Sequence, residues 1–301
     1  MPVDADRVRR LFASPQRIAD SAFLRREVAS RMHERLELVK IAPGRVLDAG
    51  CGDGADLAAL QQAYPGALTI GVDASPAMLM KARGAHASAG SALRRAVGRW
   101  LKPGKAGNFP VGPELLCSDF ARLPLGGTAV DLVWSNLALH WNARPQHVFE
   151  EWRRVLRTDG LLMFSCFGPD TLKELRAAFT ELDGFPHVLP FADMHDLGDM
   201  LVQAGFSTPV MDMETITVTY PTTEKLLKEV RAFGGNPLAA RRRGLIAKAA
   251  WKRMIDALEV RRQADGRLPL TFEIVYGHAF RPAPRKTAAG EAIVRFEPGK
   301  R

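Results

Sequence analysis

Asp48, Gly50, Cys51, Gly52, Asp53 and Gly54 fall within seven residues, between a short apolar run at 45–47 and a helical pattern that begins at Ala55. Glycine reaches backbone angles closed to other residues and lets a ligand approach the main chain. A strand, a glycine turn and a helix therefore make a nucleotide-sized slot at the strand's carboxyl end. The run Gly50-Cys51-Gly52-Asp53-Gly54-Ala55 also satisfies the loose dinucleotide fingerprint. A pyrophosphate, however, is held by a helix N-terminus without carboxylates beside it, and here Asp48 and Asp53 flank the turn. Two carboxylates suit a ligand that carries an ammonium group and no phosphate. That favours S-adenosylmethionine (SAM) over NAD.

A second acid, Asp73, ends the next apolar run nineteen residues beyond Gly54. A carboxylate there can accept both hydroxyls of a ribose, and the helix starting at Ser75-Pro76 places Met78 and Leu79 to cover an adenine ring. Asp119-Phe120 ends a third run and His140-Trp141 follows a fourth. Among His33, His86, His140, His147, His187, His195 and His278 no two-His, one-carboxylate spacing stands out. Cys51, Cys117 and Cys166 have neither zinc spacing nor a disulfide framework, and read as small buried residues of a reducing cytoplasm. Hydrolase and nucleotide-kinase readings fail for want of Gly-x-Ser-x-Gly and Gly-x4-Gly-Lys-Ser/Thr motifs.

Seven strands are expected to position these groups, at 45–47, 67–75, 114–120, 129–134, 161–167, 210–220 and 270–280. Helices are expected over 5–40 (interrupted at Pro15), from 55, from 76, and over 144–157, 170–182, 193–204 and 222–263, the last broken around Gly234-Gly235-Asn236-Pro237. Continuous apolar runs alternating with helices predict a parallel sheet covered on both faces. The fold class is α/β: a doubly wound, mostly parallel seven-stranded sheet with a helical lid. Residues 1–42 form an N-terminal helical segment, and 43–168 a SAM-binding core with a basic insertion at 84–113, including a short helix at 91–101. Residues 169–281 supply the remaining strands and the lid at 222–267, and 282–301 a tail with an edge strand at 292–296.

The chain carries 42 Lys or Arg against 33 Asp or Glu, a net charge of +9. Residues 80–113 hold seven Lys or Arg and no acid, and 222–267 hold twelve against five, so the rest is net acidic. Basic charge confined to two stretches implies a local acidic partner more than general nucleic-acid binding. Against a nucleic-acid methyltransferase, the basic stretches lack interleaved aromatics. No apolar run approaches the ~20 residues that cross a bilayer, and no secretory signal opens the chain, so a cytoplasmic enzyme is expected.

Val46-Leu47-Asp48-Ala49-Gly50-Cys51-Gly52, Gly71-Val72-Asp73, Ser118-Asp119 and Asp131-Leu132-Val133, in that order, resemble the class I SAM-dependent methyltransferases. The resemblance implies that Asp48, Gly50, Cys51 and Gly52 hold the methionine end and Asp73 the ribose. Ala74 and Met78 would flank the adenine, Asp119 would bind its amino group with Phe120 beside it, and Asn136 would complete the cofactor site. Trp134 to Trp141, Gly168 to Leu175 and Leu268 to Phe272 are similar to the malonyl-acyl-carrier-protein O-methyltransferases of biotin synthesis. That resemblance implies methylation of a malonyl carboxylate delivered by an acidic carrier protein, with His140 and Trp141 at the acceptor and Arg231 on the lid as its cation. The basic lid, including Arg241, Arg242 and Arg243, would dock the carrier. The same segments, with 191–206 and 288–296, are also similar to the mitochondrial complex I assembly factor that hydroxylates an arginine. Arg17 to Ser21 in place of an N-terminal Tyr, and His140 in place of Gln, lean toward that branch.

Overall fold

Val46 to Ala49, Ile70 to Val72 and Leu132 to Trp134 are buried without alternation, as in strands covered on both faces. The computed structural model, which describes residues 3–86 and 112–283, joins them at the centre of one seven-stranded sheet. Its strands are β1 (Arg45–Ala49), β2 (Leu68–Asp73), β3 (Glu114–Cys117), β4 (Val130–Ser135), β5 (Leu156–Phe167), β6 (Ser207–Tyr220) and β7 (Leu268–Phe280). They lie in the order β3-β2-β1-β4-β5-β7-β6. The first five are parallel, and β7 runs antiparallel to both β5 and β6. The expected mostly parallel, seven-stranded α/β sheet is the fold that forms.

The helices are α1 (Ala5–Phe12), α2 (Ala22–Glu37), α3 (Ala55–Ala63), α4 (76–86), α5 (Pro145–Val155), α6 (Lys173–Thr180), α7 (Met194–Gln203), α8 (Thr223–Ala232) and α9 (Lys248–Glu259). One face of the sheet is covered by α2, α6, α8 and α9 around Trp134, Met163 and Phe272. On the other, α5 and α7 pack against Val133, Leu162 and Phe164. Cys51 and Cys166 are buried as expected, whereas Cys117 on β3 is exposed.

Three expected boundaries move for local reasons. The segment over 5–40 is two helices joined by a 3-10 turn at Pro15–Ser21, because a proline pushes the residue before it out of the helical region; Ser14 sits at φ −122°, ψ 85°. The helix expected at 170 starts only at Lys173. Glu273 on β7 takes the backbone NH of Asp170 (2.5 Å) on its carboxylate and the hydroxyl of Thr171 (2.9 Å) on its carbonyl, tying that loop to the strand. In the basic segment, the break that begins at Gly234 (φ +108°) and Gly235 (φ +62°) extends to residue 247, where α9 begins. The helix expected at 91–101 and the edge strand at 292–296 lie outside the described residues, as does most of the insertion at 84–113.

Candidate active site

The sheet order reverses between β1 and β4, and ligands of open α/β sheets bind in the crevice at such a switch point, beyond the strands' carboxyl ends. Two turns meet there. After β1, Gly50 (φ +87°), Gly52 (φ +55°) and Gly54 (φ +76°) all adopt left-handed backbone angles. After β4, Leu137 does the same at φ +49°, fixed by hydrogen bonds from its NH to the carbonyl and hydroxyl oxygens of Ser165 (3.1 and 3.0 Å). That kink brings Ala138 against Gly50 so closely that a Cβ on Gly50 would lie 2.5 Å from the Ala138 methyl.

Four carboxylates surround the glycine turn. Asp48 is 1% exposed, and among the described residues its Oδ2 has no hydrogen-bond partner. Burial, with Asp56 and Asp73 close by, pushes its pKa well above the carboxylate range. Asp73 accepts from the NH groups of Gly52 (2.9 Å) and Ser75 (2.7 Å), binding the turn to the start of α4. Its pKa is raised by burial against the lowering effect of those two bonds. Asp56, in the first turn of α3, accepts from the Trp134 indole (3.1 Å) and the Asn136 amide (3.0 Å), and burial raises its pKa as well. Asp53 pairs with Lys81 at 2.7 Å. A crevice so dominated by carboxylates, one of them with an orphaned oxygen, fits a cationic ligand with an ammonium group. Neither Asp56 nor its partner Trp134 was expected to shape the site; its position two residues after Gly54 was the available signal.

The other residues named from sequence divide between lining and support. Phe120 faces the turn, with a ring carbon 3.7 Å from where a Gly50 Cβ would stand, while Asp119 is exposed and accepts from the NH of Ala121 (2.8 Å). Met78 is 2% exposed, and its Cε would lie 3.3 Å from a Cβ on Gly52, so it underpins the turn. Ala74 is half-buried at the end of β2. Burial pushes the Cys51 thiol far up, so it stays protonated beneath the turn. Asn136 has its side-chain groups taken by protein: it donates to the Arg25 carbonyl and to Asp56, both at 3.0 Å, and accepts from Ser165 at 3.0 Å. It holds α2 against β4 and β5.

His140, Trp141 and Arg231, nearly a hundred residues apart, line one cavity of about 220 Å³ between the sheet and the lid. Its walls are mostly aromatic and aliphatic, with His187 and Asn236 as further polar members. The His140 ring lies 4.6 Å from that of Phe167 and 5.7 Å from that of Phe191. Neither ring nitrogen has a partner among the described residues, and burial pushes its pKa down to about 3. Trp141 is pinned between Phe12 of α1, at 5.3 Å, and Gly234, where no side chain would fit. The Phe12 carbonyl also accepts from Ser75 at 2.9 Å, so α1 bridges the glycine-turn crevice and the cavity. Arg231 is exposed at the cavity wall and has no carboxylate partner among the described residues. Two of the three arginines expected to dock the carrier, Arg241 and Arg242, are engaged within the chain. They are ion-paired to Asp4 (3.7 Å) and Asp183 (3.0 Å), which fastens the lid loop to the body and leaves Arg243 alone of the three exposed.

A crevice of this construction, on this strand order, defines a class I SAM-dependent methyltransferase. Residues 47–164 match the model of the methyltransferase domain. The fold is shared with the YcgJ protein of Bacillus subtilis (16% identity, TM-score 0.55, 84% of this chain and 98% of that one). It is shared also with a SAM-dependent methyltransferase of Thermotoga maritima (15% identity, TM-score 0.50, 91% and 99%). Over nearly its whole length the chain is 46% identical to the malonyl-(acyl-carrier protein) O-methyltransferase of Laribacter hongkongensis (98% of this chain, 96% of that one). To the enzyme of that name from Gallionella capsiferriformans it is 47% identical (91% and 90%). The chain belongs to the malonyl-(acyl-carrier protein) O-methyltransferase family, and the arginine-hydroxylase branch is not favoured.

Proposed function

We propose that this protein methylates the free carboxylate of a malonyl group carried as a thioester on an acidic acyl-carrier protein, a step of biotin synthesis in the cytoplasm. The observation that carries the reading is the convergence of His140, Trp141 and Arg231 on one largely apolar cavity, at the end of the strand whose turn packs on Gly50. When bound, SAM supplies a methyl group on a sulfonium, which passes to a carboxylate oxygen as the carbon–sulfur bond breaks. A malonyl carboxylate is ionised at neutral pH, so no general base is required. The protein's task is to orient and desolvate it, and alignment alone is worth ~7–11 kcal/mol.

Each residue has a part in that task. Asp48 takes the ammonium group on its orphaned oxygen, and the glycine turn, whose Gly50, Cys51, Gly52 and Gly54 NH groups are bonded to Val72, Asp73 and Cys51, gives the methionine end a close approach to the main chain. Asp73, already tied to the turn, receives the ribose, and Ala74, Asp119 and Phe120 form the adenine end, with Met78 supporting the turn from beneath. Arg231 offers the acceptor carboxylate a two-pronged donor. His140 and Trp141 wall the acceptor, and the neutral imidazole offers it one N–H without adding charge. The direct test uses methyl-labelled SAM with malonyl-carrier protein and, separately, acetyl-carrier protein. Label should appear on the malonyl form only, as a base-labile ester; transfer to neither, or to both, overturns the assignment.

The buried His140 gives a pH signature. Its ring is neutral in the folded state, with a pKa near 3, and ordinary in the unfolded chain, near 6.5. Unfolding therefore takes up a proton below about pH 6.5, so the stability associated with the neutral ring is whole above that pH and is lost as pH falls toward 3. His140→Gln should flatten this part of the stability curve and lower kcat with little change in SAM affinity. Thermal unfolding from about pH 4 to 7, with calorimetric SAM binding, checks both. An unchanged pH slope in the variant counts against a buried neutral ring.

A further inference from the structure

Leu245 is the most exposed large apolar side chain among the described residues, at 96%, and Phe185 is 49% exposed. A single apolar side chain in water is ordinary, but these two are held on one scaffold. The Arg242 guanidinium donates to the Leu245 carbonyl (2.9 Å), and its carbon lies 5.9 Å from the centre of the Phe185 ring. It also bonds the Asp183 carboxylate at 3.0 Å, which accepts in addition from the NH of Phe185 (2.9 Å) and pairs with the His187 ring (2.8 Å). The His187 ring is itself stacked on that of Phe179 at 4.1 Å. The backbones of both apolar residues are thus fastened to one internal ion pair, and their side chains are left outside.

The surroundings of the pair are basic and have a definite place. Arg243, Lys248 and Arg253 are exposed and have no carboxylate partner among the described residues, against Glu181 as an exposed acid whose carbonyl Arg253 covers (3.4 Å). Asp183 is already neutralised by Arg242. Ile246, next in the chain after Leu245, and His187 both line the acceptor cavity, so the patch lies beside the mouth at which Arg231 is exposed. A carrier protein keeps its acidic body outside such a cavity and sends only its acyl arm within. Protein interfaces combine an apolar centre with a polar rim, and this surface has both.

We propose that Leu245 and Phe185 are the apolar anchors on which the malonyl-carrier protein docks, with Arg243, Lys248 and Arg253 steering its acidic body onto them. The inference rests on the malonyl-carrier reading and deepens it: the carrier body is recognised on a surface separate from the site where Arg231 meets the malonyl group. Arg242 has a part in this that a count of free cations conceals. Paired with Asp183, it presents the anchors and does not itself meet the carrier. The two kinds of residue act on different steps. Burial of the anchors slows dissociation and is little affected by salt, whereas the exposed cations speed encounter and are screened by it.

Steady-state kinetics at low and high salt, with malonyl-carrier protein and with the malonyl thioester of N-acetylcysteamine, test the surface. Leu245→Asp should raise KM for the carrier-bound substrate by about 10–100-fold and leave the small thioester unchanged. Leu245→Ala and Phe185→Ala should raise it by about 3–10-fold at either salt concentration, whereas the effect of Arg243→Gln should vanish at high salt. Leu38→Asp is the control and should behave as wild type, since Leu38 is 83% exposed at the end of α2, ahead of β1 and so at the opposite edge of the sheet. Equal losses on both substrates, an unchanged KM in Leu245→Asp, or the same rise in Leu38→Asp overturns the proposal. So does a wild-type dimer that Leu245→Asp dissolves, which would assign the patch to a second copy of the chain. Wild type that methylates neither substrate fails the ester-forming reading, a distinct outcome. Calorimetric binding of the carrier then decides the docking surface: binding lost in Leu245→Asp supports it, and equal or absent binding overturns it.

Discussion

Gly50→Ala should weaken SAM binding by at least about 100-fold and lower the melting temperature by several degrees. Two costs combine. The residue sits at φ +87°, a left-handed angle that costs a non-glycine residue about 1–3 kcal/mol. The new methyl would also stand 2.5 Å from the Ala138 methyl, and relieving such an overlap in packed surroundings costs a further ~1–3 kcal/mol. Neither neighbour yields easily. Ala138 follows the strained Leu137, whose NH is bonded to Ser165, and Gly50 itself donates its NH to the Val72 carbonyl at 2.8 Å. The accommodating movement must open the crevice between β1 and β4, the proposed cofactor site. Gly66→Ala is the control, since a Cβ there would meet nothing within 4 Å. Calorimetry and thermal unfolding of both variants decide the matter, and a Gly50→Ala protein that binds SAM like wild type would show that the two turns are not coupled.

Arg231→Met should lower kcat/KM for malonyl-carrier protein by about 10–100-fold, chiefly by raising KM, with SAM affinity unchanged. The sign of the split follows from the charge change in the reaction. The acceptor carboxylate is anionic before transfer and a neutral ester after it, so its attraction to a guanidinium is strongest in the ground state and fades toward the transition state. An arginine in that place contributes binding and alignment more than barrier lowering. Arg231→Lys should recover part of the loss, because the charge remains while the planar fork is gone. Steady-state kinetics on a small malonyl thioester as well as on the carrier separates the roles, since an Arg231 that binds the malonyl end should affect both substrates alike. A fall confined to the carrier-bound substrate would move Arg231 from the acceptor carboxylate to the docking surface. The docking cluster itself needs redrawing from what the spacing of Arg241, Arg242 and Arg243 implied. Substituting Arg241 or Arg242 breaks a lid-to-body ion pair, so charge effects on carrier encounter are better probed at Arg243 and Lys248, both exposed.

Local sequence determined the chemistry of the strand ends. The β1 acid and the three glycines lie within seven residues, so backbone geometry alone brings Asp48 and Gly52 together, and the β2 acid Asp73 joins them through the parallel pairing of β2 with β1. Unalternated apolar runs likewise determined a parallel sheet covered on both faces, and Gly234-Gly235 with Pro237 marked the break in the lid. Tertiary structure decided what depends on contacts between distant segments. Arg25 and Asn136 are 111 residues apart, and nothing local to either tells that one supplies the carbonyl bound by the other. The cavity behind His140 exists because β4, β5, the segment at 187–191 and the lid converge, which no spacing encodes. Charges illustrate the division most sharply. Arg231 and Arg241 are alike in a count of basic residues, yet among the described residues one has no carboxylate partner at the cavity and the other pairs with Asp4, because ion pairing is settled by which side chains the fold brings within 4 Å.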